Sequence, residues 1–429
     1  MCSSSRYERQ LVRILFGCAA LVLPFLEMWQ IILIVLAAMI GFAYVTDRRS
    51  VALGPLHLCF AVLILTVLSW VSNFPVYLLG ASIAISTFAV SICETIEADK
   101  SPRIRTVMGS AVFLISGMIS AFIVGSWIIA FNGIGDIHMS SSPYQFMFFL
   151  AVIGTLTGAL LESIPHKNNN LTLPFGTAMA MWLFAEFGYW VPPSILIFAL
   201  ALALIIGYIS YGAKIADITG VLSGTLLGVL VIVFGGIEWF AVLMVFFVLG
   251  GAFTKYEYKY KQSLGIAEAE GGARGYKNVF GNGLVAMILA VAWGVFGWHV
   301  FLIGYLGAIA TATGDTLASE IGETWRGKPR MITTFEKVKP GTSGAISALG
   351  EFSALLGAGA IGIIAVLLGL IDYPIALITT ILGGFIGTNV DSLLGATLEN
   401  RGLLTNHSVN LLATAAGAIV SVGLYWVLV

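Results

Sequence analysis

Charge is scarce in this sequence. Of its 429 residues, 10% are Asp, Glu, Lys or Arg, where a soluble domain carries about 25%. So few charges cannot cover a water-facing surface of that size, which excludes a soluble enzyme or binding module. The 21 basic and 22 acidic residues leave a net charge of -1. That balance gives no basic excess for a nucleic-acid partner. Cysteine is equally sparse: Cys2, Cys18, Cys59 and Cys93 stand at no CxxC or metal-ligand spacing. Three of them lie in or beside apolar runs and read as packing residues. The five histidines are scattered, with no HExxH pattern, and no Walker GxxxxGK[ST] occurs. The charged start "MCSSSRYERQLVR" is followed by no small-residue cleavage site, so the first apolar run is expected to be a retained span.

What is abundant is apolar: 59% of the chain. A bilayer core takes ~20 apolar residues per helix. Runs broken by polar or Gly/Pro clusters predict an all-α polytopic membrane protein of roughly fifteen transmembrane helices, the first near 9–24 and the seventh near 171–190. With that topology every basic residue falls on one side. The N-terminus carries Arg6, Arg9 and Arg13, and next come Arg48, Arg49, Lys100, Arg103, Arg105, Lys167 and Lys214. Two long loops hold Lys255, Lys259, Lys261, Arg274 and Lys277, then Arg326, Lys328, Arg330, Lys337 and Lys339, and Arg401 is last. The positive-inside rule makes that side cytoplasmic, with a cytoplasmic N-terminus and an external C-terminus. The expectation is a multi-pass protein of the cell membrane.

The chain repeats its plan. "RTVMGSAVFLISG" (105–117) and "KPGTSGAISALGE" (339–351) each join a basic residue and a Gly/Ser pair to an apolar helix. "LLESIPHKNNNLTLPFGTA" (160–178) and "ATLENRGLLTNHSVNLLATAAGA" (396–418) each end one helix on Glu, cross an Asn-bearing link and enter a small-residue helix. Gly109 precedes Glu162 by 53 positions and Gly344 precedes Glu399 by 55. Two related halves follow, 1–190 and 196–429. The first has "ISTFAVSICETIEAD", with Glu94, Glu97 and Asp99, where the second has "ATATGDTLASEIGE".

The densest chemistry lies in "GDTLASEIGETWRGKPR" (314–330) and "KVKPGTSG" (337–344). Asp315, Glu320 and Glu323 are candidate Mg²⁺ ligands, since Mg²⁺ binds through one or two carboxylates plus substrate phosphates. Asp315 and Glu320 are about 140° apart on an unbroken helix, so the set requires a break, which Gly314 or Gly322 permits. Arg326, Lys328, Arg330, Lys337 and Lys339 can neutralise phosphates. Gly341, Thr342, Ser343 and Gly344 precede a long helix and offer N–H groups to an anion. An ordinary charged loop obeying the positive-inside rule is the alternative. Asp391, inside an apolar helix, is a functional candidate by its cost. Glu399 lies about 80° around from it, so both can face one cavity, with Asn389, Asn406 and Asn410. Asn278 and Asn282 enter from the same side, although helix capping also explains such Asn residues. Glu186 is a lone acid of the first half.

These blocks, together with "RGYKNVFGNG" (274–283), resemble the DUF92 family over about 196–429. That family includes transmembrane protein 19 and the plant and cyanobacterial phytyl-phosphate kinases. The first half, about 1–190, is similar to the phytol kinase and dolichol kinase families. It departs from them at Arg13 or Phe16, where those families show a His, and at Asn168-Asn169-Asn170, where they show Asp before Asn. It also lacks their Gly-Asp motif, so it is expected to be a degenerate copy. The resemblance places the Gly-Asp motif on Gly314 and Asp315 and the following acid on Glu320. It places the phosphate-binding stretch on Lys337, Lys339, Gly341, Thr342, Ser343 and Gly344, the helix acid on Asp391, and the closing polar residues on Glu399, Asn406 and Asn410. It implies a kinase that uses Mg²⁺ and CTP or another NTP to convert an isoprenyl monophosphate to the diphosphate. A cytidylyltransferase making a CDP-lipid needs the same parts, and a transporter is the reading from another class. The lipid phosphate, the nucleotide and membrane lipid are the expected partners; the sequence leaves protein partners open.

Overall fold

The structure is a computed structural model that describes residues 2–46, 53–96, 106–134, 142–164, 169–267, 272–372 and 374–429. Arg48, Arg49, Lys100, Arg103, Arg105, Lys167, Glu97, Asp99, Asn168, His138 and His166 lie outside them. The chain divides into two compact units, Met1–Ile197 and Phe198–Val429.

The first unit runs through α1 (Cys2–Ala19) and a 3₁₀ turn (Ala20–Phe25), then α2 (Met28–Thr46) and α3 (Leu53–Val71). Next come α4 (Val76–Ala84), a π turn (Ile85–Ala89), α5 (Val90–Ile96), α6 (Val107–Asn132), α7 (Pro143–Ser163) and α8 (Asn169–Glu186). The second runs through α9 (Pro193–Gly212), α10 (Ile218–Gly235), α11 (Ile237–Lys255), the short α12 (Tyr258–Ser263), α13 (Tyr276–Phe296) and α14 (His299–Gly322). A two-residue antiparallel pair, β1 (Arg330–Met331) with β2 (Ala345–Ile346), ties the ends of the loop before α15 (Ala348–Leu367). Then α16 (Ile375–Leu394), lengthened by a π turn (Gly395–Glu399), leads to α17 (Asn406–Leu428). Helix starts carry oxygen caps: Thr106, Asp217, Ser347 and Thr405 each accept from an N–H three residues on.

Thirteen of the described helices are long and apolar enough to cross a membrane; the chain is an all-α polytopic membrane protein. Two of the roughly fifteen expected spans fall short of that standard. The first is a shorter apolar helix, Gln10–Phe25, and α8 is diluted by Asn169, Asn170, Thr172, Pro174 and Glu186. Both nevertheless run from one end of the first unit to the other. At one end Arg13 pairs with Glu94 at 2.7 Å and donates to Asn170 Oδ1 at 3.1 Å. At the opposite end a cavity gathers Met28, Ser72, Asn132 and Glu186. There Phe25 packs edge-on against Phe131, 4.9 Å between centroids.

In the second unit α14 is the buried axis, flanked by α11, α13, α15, α16 and α17. Apolar side chains alone do not drive helices together in lipid, so close backbone approach through small residues does. A β-carbon at Gly357 would stand 3.0 Å from Gly314 Cα, and one at Gly417 would stand 3.1 Å from the carbonyls of Gly307 and Gly383. These contacts lock α14 to α15, α16 and α17 and fix whatever α14 carries at its last turns.

Candidate functional site

At one end of the second unit α14 and α16 finish and α15 and α17 begin. Between them lies a cleft of about 290 Å³. Its walls include Asp315 and Glu323 from α14, Gly341–Gly344 from the loop, Glu351 from α15, Asp391 and Glu399 from α16, and Asn406 from α17.

Asp315 and Asp391 both line the cleft, close enough for each carboxyl to act on the other, and the charge of Glu399 acts on both. Two carboxylates so close need a proton or a cation between them. Asn410 completes that corner. With its amide turned to suit its neighbours, it donates to Asp391 Oδ2 at 3.3 Å and to the Asn406 carbonyl at 2.8 Å. Nearby, Asn282 Nδ2 donates to the Asn278 carbonyl at 3.0 Å. Asn389 does not join this chain; it donates to Glu351 Oε2 at 3.1 Å.

The opposite wall is backbone. Gly341 and Gly344 adopt φ of 77° and 81°, the left-handed region open to glycine. A β-carbon on Gly344 would stand 2.5 Å from Ala396 Cβ, so this turn sits directly on the π turn of α16. Ser343 donates to Glu399, and Asn400 donates to the Ser343 carbonyl at 3.0 Å. The described residues give the N–H groups of Ser343 and Gly344 no acceptor, leaving them available to an anion beside the start of α15.

The three acids of 315–323 are not brought together. Neither Gly314 nor Gly322 interrupts α14; Gly314 serves as a packing contact instead. The helix therefore turns Glu320 away from Asp315, while Glu323 returns to the cleft. Glu320 is buried against Lys261, whose ammonium also donates to the carbonyls of Phe253 at 3.3 Å and Thr254 at 3.2 Å. Among the described residues no three His, Cys, Asp or Glu side chains stand together as a metal cluster. Arg326, Lys328, Arg330, Lys337 and Lys339 are exposed and outside the cleft lining; Arg330 Nη1 donates to the Phe335 carbonyl at 2.9 Å.

Three residues of this region escape a motif-based reading. Lys261 and Arg274 look like ordinary loop cations, and only their proximity in the fold reveals their acidic partners. Arg274 is held by a backbone bond to Ile215 (2.8 Å), and its charge acts on Asp315. Glu351 had a signal: an acid in the first turn of an apolar helix that follows a Gly/Ser/Thr run.

The same Glu–Asn spacing occurs in the first unit, where Asn169 Nδ2 donates to Glu162 Oε2 at 3.2 Å across seven residues. Glu399 and Asn406 are also seven apart. Among the described residues of the first unit no such pair of acids is found, and Glu94 is matched by Arg13.

The sequence profile described as "Integral membrane protein DUF92" matches residues 201–418. An uncharacterized membrane protein of Methanocaldococcus jannaschii is 39% identical over 213 residues, 50% of this chain and 87% of its own. Protein PGR of Arabidopsis thaliana is 31% identical over 232 residues, 48% of this chain and 80% of its own. Protein VTE6, chloroplastic, of the same plant is 30% identical over 212 residues, 48% of this chain and 63% of its own. No solved structure matches.

Proposed function

Since the chain belongs to the DUF92 family of integral membrane proteins, we propose that it is an isoprenyl-phosphate kinase, transferring a phosphoryl group from CTP or another NTP to an isoprenyl monophosphate. The observation that carries this reading is the Asp315–Asp391 pair facing the Ser343–Gly344 turn within one cleft. The resemblance of 196–429 to phytyl-phosphate kinases supports the same substrate class. The basic character of this end of the chain supports a cytoplasmic site in the cell membrane.

Asp315 and Asp391 suit a hard divalent cation, and they would hold Mg²⁺ together with nucleotide phosphates. That ion would supply charge neutralisation for the polyphosphate. The N–H groups of Ser343 and Gly344 bind phosphate oxygens, and Asn410 and Asn406 orient Asp391. Glu399, tied to Ser343, couples the turn to the acidic wall. Glu320 instead acts through Lys261 to seat the 256–275 loop, and Glu323 stands at the cleft wall. The exposed cations Arg326, Lys328, Arg330, Lys337 and Lys339 draw the polyphosphate toward the cleft.

In the reaction an oxygen of the isoprenyl monophosphate attacks the γ-phosphorus. The bond from the γ-phosphorus to the β-bridging oxygen breaks, and the nucleoside diphosphate leaves. A phosphate monoester is largely ionised at neutral pH (second pKa about 6), so positioning and charge neutralisation do most of the work and little base is needed. The test is purified protein in detergent with Mg²⁺, geranylgeranyl monophosphate and γ- or α-labelled CTP. Label from the γ-phosphate in a lipid diphosphate, absent in Asp315→Asn, is expected. Label from the α-phosphate in a lipid would instead establish cytidylyl transfer, and no lipid product with any nucleotide would favour transport.

A further inference from the structure

We infer that the apolar chamber among α9, α10, α11 and α13 seats the first part of the isoprenoid chain, with Gly224 providing the room and Arg274 and Asn278 marking its phosphate end. The inference rests on the kinase reading and goes beyond it by naming where the lipid binds.

The chamber is lined almost entirely by carbon, including Val221, Leu243, Met244 and Phe247. Its charged residue is Arg274, just before α13, and Asn278 lies in the first turn of that helix. Both belong to the end of the unit that carries the cleft. Arg274 Nη2 donates to Thr254 Oγ1 at 3.3 Å, and the guanidinium lies 5.9 Å from the Phe246 ring centre. It lines the chamber, and its charge also acts on Asp315. Asn278 lines the same end of the chamber, and its carbonyl accepts from Asn282 Nδ2 at 3.0 Å. A ligand that is apolar for most of its length and doubly negative at one end matches this gradient. A neutral alcohol matches only its apolar part, and a fatty acid brings a single charge to the polar end.

Gly224 is the opening in α10. A β-carbon there would meet nothing within 4 Å, whereas at Gly228, one turn on, it would stand 3.0 Å from the Phe240 ring. Both glycines line or adjoin the same helix face, yet only Gly224 faces unfilled space. Along α10 the lining runs from Gly220 to Leu227, about 10 Å of helix. That depth holds the phosphate-proximal isoprene units, and the rest of a long chain passes into the surrounding lipid. Bulk near the headgroup should therefore matter more to binding than total chain length.

The test is equilibrium binding of radiolabelled geranylgeranyl monophosphate to the full chain in detergent, without nucleotide. Gly224→Leu is expected to weaken binding at least tenfold and Gly224→Ala less than twofold. Geranylgeraniol should compete poorly, and farnesyl and geranylgeranyl monophosphates about equally. A photoactivatable isoprenyl monophosphate, with its diazirine on the first isoprene unit, should label peptides of α10, α11 or α13 in the unsubstituted chain. This readout stands even where Gly224→Leu fails to fold. Unchanged binding in folded Gly224→Leu, or adducts confined to other helices, would overturn the chamber assignment while leaving the kinase reading intact. No binding of any isoprenyl monophosphate by the unsubstituted chain would overturn both.

Discussion

The ammonium of Lys261 is buried against the carboxylate of Glu320, with two backbone carbonyls of α11 completing its shell. Breaking such a pair by removing one partner leaves a charge stranded in an apolar interior, at a cost of roughly 3–5 kcal/mol. Lys261→Met should lower the thermal unfolding midpoint in detergent, and Lys261→Met with Glu320→Leu should recover most of the loss. Recovery in the double variant, read against turnover, separates a structural Glu320 from a catalytic one. A double variant that is stable but inactive would show that Glu320 takes part in the chemistry.

Asp315→Asn and Asp391→Asn should each reduce turnover by at least about 100-fold, the scale for losing one strong electrostatic contact to a developing charge. Because the two acids act as one unit, the double variant should lose little more than either single one. Their unfolding midpoints should not fall, since an amide relieves the repulsion between facing carboxylates. Near-normal turnover in either folded variant would remove that residue from the mechanism.

Gly344→Ala places a side chain at φ 81° against Ala396. The strain amounts to about 1–3 kcal/mol, and the turn must move to relieve it. The KM for nucleotide should rise more than tenfold. A KM that stays put, with the variant folded, would detach the turn from phosphate binding.

Lys337 and Lys339 are exposed beyond the cleft, so their expected effect is long-range attraction. Replacing both with Ala should raise the KM for nucleotide a few-fold at low salt and change it little at high salt, where screening removes the difference. A fall in kcat independent of salt would mean that they touch the substrate.

Glu94→Gln tests the first unit. It pairs with Arg13 at 2.7 Å, a cationic partner unlike the acid that stands by Asp315. Turnover with isoprenyl monophosphate should remain within about twofold of the unsubstituted chain, a change too small to count as loss of a transition-state contact. A large loss would show that the first unit contributes to the reaction.

Much of this was legible in the residue order. Hydropathy alone announces the helices, and the clustering of Lys and Arg predicts that the polar loops share a side. Asp391, Glu399 and the 341–344 turn could be nominated because acids and glycine-rich turns beside apolar helices have few ordinary uses. The partnership of Asp315 with Asp391 spans 76 positions and depends on how α14 packs against α16, which no local pattern encodes. The same is true of Lys261 and Arg274, whose roles come from their placement against α11. Glu320 misleads for a simpler reason. Glycine in a helix permits a kink but does not impose one, and Gly314 and Gly322 are used for packing against α15.

The encasement of α14 by five neighbours has a consequence for timing. Asp315 cannot shift without sliding helices that touch backbone to backbone, so the acidic wall works as a fixed post. On the kinase reading, entry and exit of a nucleotide would then be left to the 323–347 segment, in which the short β1–β2 pair ties 330–331 to 345–346. The speed of each cycle would be set by how often that strap lifts, and a cross-link from the strap to α17 should slow product departure while leaving the acids undisturbed.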